Sequence, residues 1–210
     1  MAGVFISLEG IEGAGKTTLI QKMIAYFEKA GKEVLLTREP GGSELGQKLR
    51  QIILNAEEKI CPGAELFLFL ADRAEHVQSC IKPVLAQGKI VLCDRFIDST
   101  VAYQGYGRGM DIKELQMLND LAAHGLKPDL TIILDLAPEI GLARANARNK
   151  ELNLTIKEGR FEAEALEFHQ KIRAGFLALS KQEDRFFVVN AEQNAEAVFA
   201  DVCKKLQSFL

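Results

Sequence analysis

A glycine-rich segment at residues 10–17, with the sequence GIEGAGKT, lies between a short apolar run and a longer segment with helical periodicity. It fits the pattern Gly-x-x-x-x-Gly-Lys-Ser/Thr, which occurs where a buried strand turns sharply into the N-terminus of a helix. The glycines let backbone N–H groups point inward around phosphate oxygens, and the helix N-terminus adds a partial positive charge. The segment therefore predicts a strand, a phosphate-binding loop and a helix in that order.

Two side chains of this loop have specific expected parts in binding a nucleoside triphosphate. Lys16 would reach the β- and γ-phosphates, and the hydroxyl of Thr17 would coordinate Mg²⁺. Because the sequence indicates both the flanking strand and the flanking helix, a glycine-rich turn without a ligand is a poor alternative. We predict that the nucleotide contacts the loop through Gly10, Ile11, Glu12, Gly13, Ala14, Gly15, Lys16, Thr17 and Thr18.

Short apolar runs alternate with helix-length segments along the whole chain. These runs are continuous rather than alternating in polarity, which is typical of parallel strands covered on both faces. The pattern predicts an α/β fold of three layers in a single domain over residues 1–210, with a central five-stranded parallel sheet flanked by helices. The predicted strands are Val4–Leu8, Glu33–Thr37, Ile90–Cys93, Leu130–Leu134 and Phe186–Val189.

Several helix boundaries are indicated by capping residues. Gly31 is placed to end the helix that follows the loop. Asp111, with Glu114 three residues later, predicts the start of another helix, which Gly125 would close. Pro138 is predicted to lie in the first turn of a third helix.

The charge and the cysteines narrow the classes of protein. The 210 residues carry a net charge of −3, with a pI of about 5.7, which argues against a groove for nucleic acid. The four cysteines form no Cys-x-x-Cys pair, as expected of a reduced chain without disulfides. The N-terminus lacks the features of a signal peptide, and no apolar run reaches the roughly 18 residues of a membrane span. We expect a cytoplasmic protein with neither a membrane nor a nucleic-acid partner.

Phosphate-binding loops occur in GTPases, in motor and transport ATPases and in small-molecule kinases. A GTPase needs an Asp-x-x-Gly switch, and no aspartate of this chain has glycine three residues later. ATPase machines carry a second carboxylate after the aspartate that ends a strand, whereas Asp94 is followed by Arg95 and Asp135 by Leu136. Both alternatives therefore lose support.

Polar clusters follow the predicted strands, where the carboxyl ends of a parallel sheet would bind ligands. Arg38 follows the second strand, and Asp94 and Arg95 follow the third. Phe69 and Arg73 are four residues apart, so on a helix they would share a face. The charged segment at about 144–164 is either a solvated helix–loop–helix or a lid that closes over the site.

Together these segments resemble the thymidylate kinase family, bacterial type, over nearly the whole chain. The resemblance rests on the loop EGIEGAGKTT, on TREPGG, on the Phe69 and Arg73 pair, on the DRF and AYQGYGR pieces and on the lid motif RFE. It implies transfer of the γ-phosphate of ATP to dTMP with Mg²⁺, giving dTDP for dTTP synthesis.

The resemblance also implies roles for residues around the base and sugar of dTMP. Phe69 would stack on thymine, and Arg73 would donate a hydrogen bond to the thymine O4. Thr100 and Gln104 would complete the base pocket. Tyr103 would crowd the 2′ position of the sugar and so reject ribonucleotides.

A second group of implied roles concerns the phosphates and the metal. Glu12 matches an acidic residue near the acceptor sugar and phosphate, and Arg38 and Arg95 would hold the acceptor phosphate. Asp94 would help to position, through water, the Mg²⁺ that Thr17 coordinates. Lys16, Arg95 and Glu12 are thus expected catalytic residues beside the lid arginines.

The candidate lid arginines follow from a difference between members of the family that the chain resembles. Some family members carry an arginine within the phosphate loop, where this chain has Gly13. In the bacterial type, arginines of the lid supply the positive charge at the transferring phosphoryl group instead. The candidates for this role are Arg144, Arg148 and Arg160. The family often has aspartate before Arg-Phe-Glu, where this chain has Gly159.

Two alternatives and two further expectations stay open at this point. The chain would be a deoxynucleoside kinase if its acceptor carried no phosphate, or a non-catalytic nucleotide-binding switch if it had no acceptor.

The resemblance implies a homodimer formed by packed helices, with the helix containing AELFLFLADRAEHV as the candidate surface. We predict that His76, His124 and His169 are helix-surface or helix-end residues rather than metal ligands.

Overall fold

The structure, a computed structural model, describes residues 3–55, 60–151 and 160–210. Within these residues the chain forms one five-stranded sheet in the order β2-β3-β1-β4-β5, and all neighbouring strands are parallel. The predicted parallel α/β fold is therefore confirmed. The strands are β1 (Val4–Glu9), β2 (Val34–Arg38), β3 (Ile90–Asp94), β4 (Leu130–Asp135) and β5 (Phe186–Asn190).

Helices connect the strands in the described part of the chain. Two of them continue directly into π-helical stretches, at Val77–Ile81 and Val101–Gly107, which the sequence did not indicate. The helices are α1 (Lys16–Lys29), α2 (Glu44–Leu54), α3 (Pro62–His76), α4 (Lys82–Ala86), α5 (Ile97–Thr100), α6 (Ile112–Ala122), α7 (Pro138–Glu151), α8 (Leu166–Leu179) and α9 (Ala195–Leu206).

The helices cover both faces of the sheet, and β1 shows how. Successive side chains of a strand point to opposite faces. Phe5 belongs to an apolar cluster with Val77, which follows α3. Ile6 and Leu8 belong to a second cluster with Met23 of α1. This three-layer arrangement explains why the central strands are apolar without alternation.

The capping signals in the sequence act as expected. Gly31 follows α1 with a φ of 74°, a left-handed conformation that glycine adopts without steric cost. Asp111 caps α6, and its Oδ1 accepts a hydrogen bond from the backbone N–H of Glu114 at 3.0 Å. Gly125 follows that helix at a φ of 71°, and Pro138 is the first residue of α7.

The prediction for the histidines was wrong for His169, which is buried inside α8, whereas His76 does end α3 although it is buried too. His76 and His169 are both fully buried, whereas His124 is exposed at the end of α6. Buried polar groups need partners, and both buried histidines have carboxylates beside them, Glu39 and Glu12 respectively. Those carboxylates are distant in sequence, so helical periodicity gave no sign of them.

Candidate active site

A cavity of about 860 Å³ opens at the carboxyl ends of the strands, between the phosphate-binding loop and the segments that follow β2 and β3. Ligands of parallel α/β sheets bind at this edge. The cavity brings together most of the predicted site residues. They are Glu12, Gly13, Ala14, Gly15, Lys16, Thr17, Thr18, Arg38, Phe69, Arg73, Asp94, Arg95, Thr100, Tyr103, Gln104 and Arg144.

The loop between β1 and α1 has the backbone expected of a phosphate cradle. Gly10, Gly13 and Gly15 all have positive φ values, of 137°, 71° and 95°, which other residues adopt only with strain. The ammonium group of Lys16 donates hydrogen bonds to the carbonyl oxygens of Gly10 and Ile11, both at 3.1 Å. Burial and the nearby Arg95 lower the pKa of Lys16 to about 8. The carboxylates of Asp94 and Glu12 offset this lowering only in part, and a phosphate in the loop would add further negative charge beside the buried ammonium group.

The loop also touches the first turns of α7. A Cβ atom on Gly13 would lie 2.0 Å from the carbonyl oxygen of Gly141, and a Cβ atom on Gly141 would lie 2.5 Å from the carbonyl oxygen of Glu12. Real Cβ contacts do not occur at such distances. Glycine at both positions therefore lets the two backbones meet, and it explains why the loop has no arginine here.

Glu12 anchors a cluster at the mouth of the loop. Its Oε1 accepts hydrogen bonds from Arg95 Nη2 at 3.0 Å and from the Tyr103 hydroxyl at 2.5 Å. His169 Nδ1 lies 3.3 Å from Glu12 Oε2, an ion-pair distance without hydrogen-bond alignment. Burial alone would raise the pKa of Glu12, but His169, Arg95 and Lys16 together lower it to about 2. The cluster therefore holds a fixed negative charge beside the cationic groups.

Arg95 occupies a strained position between the loop and Tyr103. Its φ of 73° is rare for a residue other than glycine. The guanidinium donates a hydrogen bond to the carbonyl oxygen of Gly10 at 3.0 Å and lies 4.9 Å from the centre of the Tyr103 ring. Strain of this kind is found at functional sites, where the surrounding structure holds it.

Asp94 and Thr17 fit a magnesium ion. Within the described segments, the buried Oδ1 of Asp94 has no hydrogen-bond partner, and such a buried carboxylate oxygen requires a partner. Thr17, in the first turn of α1, lines the same cavity as Asp94. Mg²⁺ prefers one or two oxygen ligands from protein, together with waters and phosphates, which is what this pair offers.

The cavity has two arms: one lies at the phosphate-binding loop, and the other surrounds the side chain of Arg73. This side chain is 1% exposed. Its Nε donates to Glu39 at 2.9 Å, its Nη1 donates to Thr100 at 2.9 Å and to Asn119, and its Nη2 donates to the carbonyl oxygen of Phe96 at 3.1 Å. Guanidinium has five N–H donors. Counted over the described segments, these contacts use four of them and leave one for a ligand.

A buried polar network behind Arg73 was not predicted. Glu39 Oε1 lies 3.0 Å from His76 Nδ1, and His76 Nε2 lies 2.6 Å from the hydroxyl of Thr37. Asp72 Oδ1 accepts from the backbone N–H of Gly41 at 2.9 Å, and burial together with Glu39 raises the pKa of Asp72 to about 6. One signal in the sequence could have pointed to this network, the Arg-Glu-Pro segment in which Glu39 directly follows the last residue of β2.

The three lid arginines have different surroundings. Arg144 lines the cavity and donates to the carbonyl oxygen of Ala191 at 3.1 Å. Arg160 donates instead to Glu65 at 2.6 Å and to the carbonyl oxygen of Ile53 at 3.0 Å. The side chain of Arg148 and residues 152–159 of the predicted lid, including Gly159, lie outside the described residues.

Glu9, at the end of β1, yields a prediction about pH. Burial and the charge of Asp98 raise its pKa to about 7, although Ser99 and the backbone N–H of Phe96 donate hydrogen bonds to it. A raised folded-state pKa means that stability falls as the pH rises from about 4.5 towards 7, where the folded state holds a proton that the unfolded state has lost. We expect Glu9→Gln to stabilise the nucleotide-free protein at pH 8, on the order of 2 kcal/mol, but not at pH 4.5. Melting temperatures at both values measure this, and an equal change at both would contradict it.

The sheet order, the loop after β1 and the cavity at the strand ends define a P-loop NTPase fold. The chain belongs to the thymidylate kinase family, because the model of that family, described as thymidylate kinase, matches residues 8–202. Thymidylate kinase of Maridesulfovibrio salexigens is 53% identical over 97% of this chain and 94% of its own length. That of Nitratidesulfovibrio vulgaris strain Miyazaki F is 51% identical over 99% and 97%.

A solved structure supports the same conclusion about fold and family. The crystal structure of thymidylate kinase from Ehrlichia chaffeensis superposes with a TM-score of 0.78 at 35% identity, and covers 98% of this chain and 99% of its own. The family resemblance found in the sequence is thus confirmed over nearly the full length. Among the described residues, no helix is long and apolar enough to cross a membrane.

Proposed function

We propose that this chain transfers the γ-phosphate of ATP to dTMP, giving ADP and dTDP, in the synthesis of dTTP. The observation that carries the proposal is a single cavity that has the phosphate-binding loop at one end and Phe69, Arg73 and Gln104 at the other. Such a cavity holds two nucleotides with their phosphates facing each other, the arrangement that direct transfer requires.

On the donor side, the loop binds the triphosphate of ATP. The backbone N–H groups of residues 10–18 hold the phosphate oxygens, and Lys16 moves from its contacts with loop carbonyls to the β- and γ-phosphates. Thr17 and Asp94 would hold Mg²⁺. When bound, Mg²⁺ neutralises charge on the transferring phosphate and orients it.

On the acceptor side, Arg38 and Arg95 hold the phosphate of dTMP. Glu12 fixes Arg95 through the 3.0 Å ion pair and faces the sugar. Tyr103, which donates to Glu12, closes the space at the sugar 2′ position. Phe69 stacks on the base, and Arg73 with Thr100 and Gln104 reads its edge.

The transfer itself depends on the alignment of the two phosphates and on positive charge more than on a general base. The acceptor phosphate is already an anionic nucleophile at neutral pH, and charge develops on the equatorial oxygens of the transferred group. Arg144, at the wall of the cavity, supplies positive charge there. We take residues 1–210 as one catalytic domain whose lid, at about 144–164, adds Arg148 and Arg160 when it closes and excludes water.

The test is ADP release from ATP and Mg²⁺ with dTMP, dUMP, thymidine, CMP, UMP or AMP as acceptor. Turnover restricted to dTMP, with weaker use of dUMP, is the expected result. A preference for thymidine would make the chain a deoxynucleoside kinase and leave Arg38 and Arg95 without a phosphate to bind. ATP binding with no acceptor-dependent turnover would make it a switch.

Replacing Phe69 should separate the two nucleotide sites. Stacking of a base on an aromatic ring contributes about 1–3 kcal/mol, so Phe69→Ala should weaken dTMP binding by about 10- to 100-fold. The dissociation constant of ATP should change less than about twofold, because the loop makes no contact through this ring. Titration calorimetry measures both constants, and an equal loss of both would contradict the stacking role.

We also propose a homodimer, formed through α3 and α6. These helices share an apolar cluster, and three large apolar side chains stand exposed beside it: Phe67, Met117 and Leu121, at 64%, 67% and 74% exposure. Large apolar side chains exposed on two neighbouring helices are typical of an interface. We expect Leu121→Glu to give monomers in sedimentation, with Leu166→Glu on α8 as the control that stays dimeric. A wild-type chain that sediments as a monomer would rule the interface out.

We place this reaction in the cytoplasm. All four cysteines, at positions 61, 80, 93 and 203, are free thiols, which suits a reducing compartment. Burial raises the pKa of Cys93, so this thiol is also protected from reaction by its low thiolate content.

A further inference from the structure

The carboxylate of Glu65, in the first turn of α3, joins three side chains from other parts of the chain. Its Oε1 accepts a hydrogen bond from Gln104 Nε2 at 2.8 Å. Its Oε2 accepts from Arg160 Nη2 at 2.6 Å and from Arg108 Nη2 at 3.3 Å. The Glu65 side chain is 1% exposed. A charge this deeply buried requires partners, and the identity of these partners suggests what it does.

The contact with Glu65 decides which way the amide of Gln104 points. A carboxylate only accepts hydrogen bonds, so the amide must turn its NH₂ group towards Glu65. Rotating the amide by a half turn would bring two acceptor oxygens together, and it would leave Glu65 Oε1 with only the 3.4 Å hydrogen bond from Arg108 Nε. Because Gln104 is 1% exposed and lines the cavity, its carbonyl oxygen is the amide atom left for a ligand.

A fixed acceptor at this point discriminates between pyrimidines. Thymine and uracil carry an N–H donor at N3, whereas cytosine carries an acceptor there. We propose that Glu65 is a positioning residue that holds Gln104 as an acceptor, and so makes the cavity select thymine or uracil over cytosine. This inference rests on the proposed function, since it requires the base of the acceptor nucleotide to lie in this arm of the cavity.

The same carboxylate supports the segment that closes the cavity. Arg160, held by Glu65, immediately precedes Phe161, whose ring centre lies 6.3 Å from that of Phe69. Arg108, the third partner of Glu65, also binds Glu164 at 2.6 Å. Base selection and the position of the lid segment therefore depend on one buried charge.

The test compares Glu65→Gln with wild type and with Glu164→Gln as the matched control. The readout is the inhibition constant of dCMP divided by the KM of dTMP, at saturating ATP and Mg²⁺. An amide at position 65 can donate to the Gln104 oxygen and allow the half turn, so we expect this ratio to fall by about 10- to 100-fold. Glu164→Gln removes a partner of Arg108 without touching Gln104, and should leave the ratio within about threefold. The KM of ATP should be unchanged in both.

An unchanged ratio in Glu65→Gln, or an equal fall in Glu164→Gln, overturns the proposal. The double variant with Gln104→Leu separates positioning from a general structural effect, because Glu65→Gln should then produce no further fall in the ratio. If Glu65→Gln does not fold, Gln104→Leu alone carries the test, since loss of the acceptor must lower the same ratio. A wild-type chain that does not phosphorylate dTMP would instead overturn the proposed function.

Discussion

Replacing Arg95 with methionine is expected to lower kcat/KM for dTMP by about 10³-fold, because the variant loses the charge that holds the attacking phosphate of dTMP in line with the transferred group. The guanidinium lies at the junction of the two arms of the cavity, bound to Gly10, Glu12 and the face of Tyr103. Burial alone would lower its pKa, but Tyr103 and the carboxylates of Glu12 and Asp94 raise it above the ordinary value, so it is charged at every pH at which the enzyme would be assayed. Initial rates at varied dTMP and saturating ATP measure the effect.

Methionine is chosen because it keeps an unbranched apolar stem without the charge, and because it carries the same strain in the left-handed backbone. Both residues carry a Cβ atom, so the φ of 73° is equally strained in each. The matched control is Arg173→Met, which removes an arginine paired with Asp135 outside the cavity lining and should change kcat/KM less than about threefold. A fall of less than about tenfold in Arg95→Met, in a protein that melts normally, would remove Arg95 from the reaction.

Replacing Arg73 with methionine is expected to lower the free energy of unfolding by about 3–5 kcal/mol, because it leaves a buried carboxylate without its guanidinium. Arg73 and Glu39 are each only 2% exposed in their side chains and lie 2.9 Å apart. Thr100 and Asn119 lose a donor as well. Urea unfolding of the nucleotide-free protein measures the loss, which corresponds to a fall in melting temperature of about 10 °C.

Two further variants identify the cause of that loss. Lys22→Met breaks the exposed ion pair between Lys22 and Glu196, whose 2.6 Å separation is similar to that of the buried pair. It should lower the free energy of unfolding by less than about 1 kcal/mol. Adding Glu39→Leu to Arg73→Met should recover part of the stability, because an apolar pair replaces a buried charge that has lost its partner. If Arg73→Met is no more destabilising than Lys22→Met, the buried pair does not hold this region together.

The sequence predicted the sheet closely: β2 begins one residue later than predicted, at Val34, and the errors at the other ends of the strands have one cause. Each observed strand extends one residue beyond its predicted end, to Glu9, Arg38, Asp94, Asp135 and Asn190. All five residues are polar or charged, so a prediction from apolar runs stops one step before them. They lie at the carboxyl edge, where the strands continue into the site. The pattern of hydrophobicity thus loses accuracy where the protein meets its ligands.

The polar network behind the base pocket was beyond prediction for a different reason. Glu39 and His76 are 37 residues apart, and charged residues are seldom fully buried unless they are paired. Sequence patterns describe neighbours along one helix or strand, whereas this pairing is created by packing α3 against the segment after β2. The position of Phe69 and Arg73 on one face of α3 was predictable because it depends only on helical spacing.

The close approach of Gly13 and Gly141 has a consequence for how such enzymes diverge. Any side chain at position 13 collides with the backbone of α7, and α7 carries Arg144. An arginine therefore cannot be added at position 13, beside the existing lid arginines, while α7 keeps its present position. A lineage that moves its positive charge from lid to loop must therefore shift the helix in the same step, so the two arrangements are separated by a barrier that single substitutions do not cross.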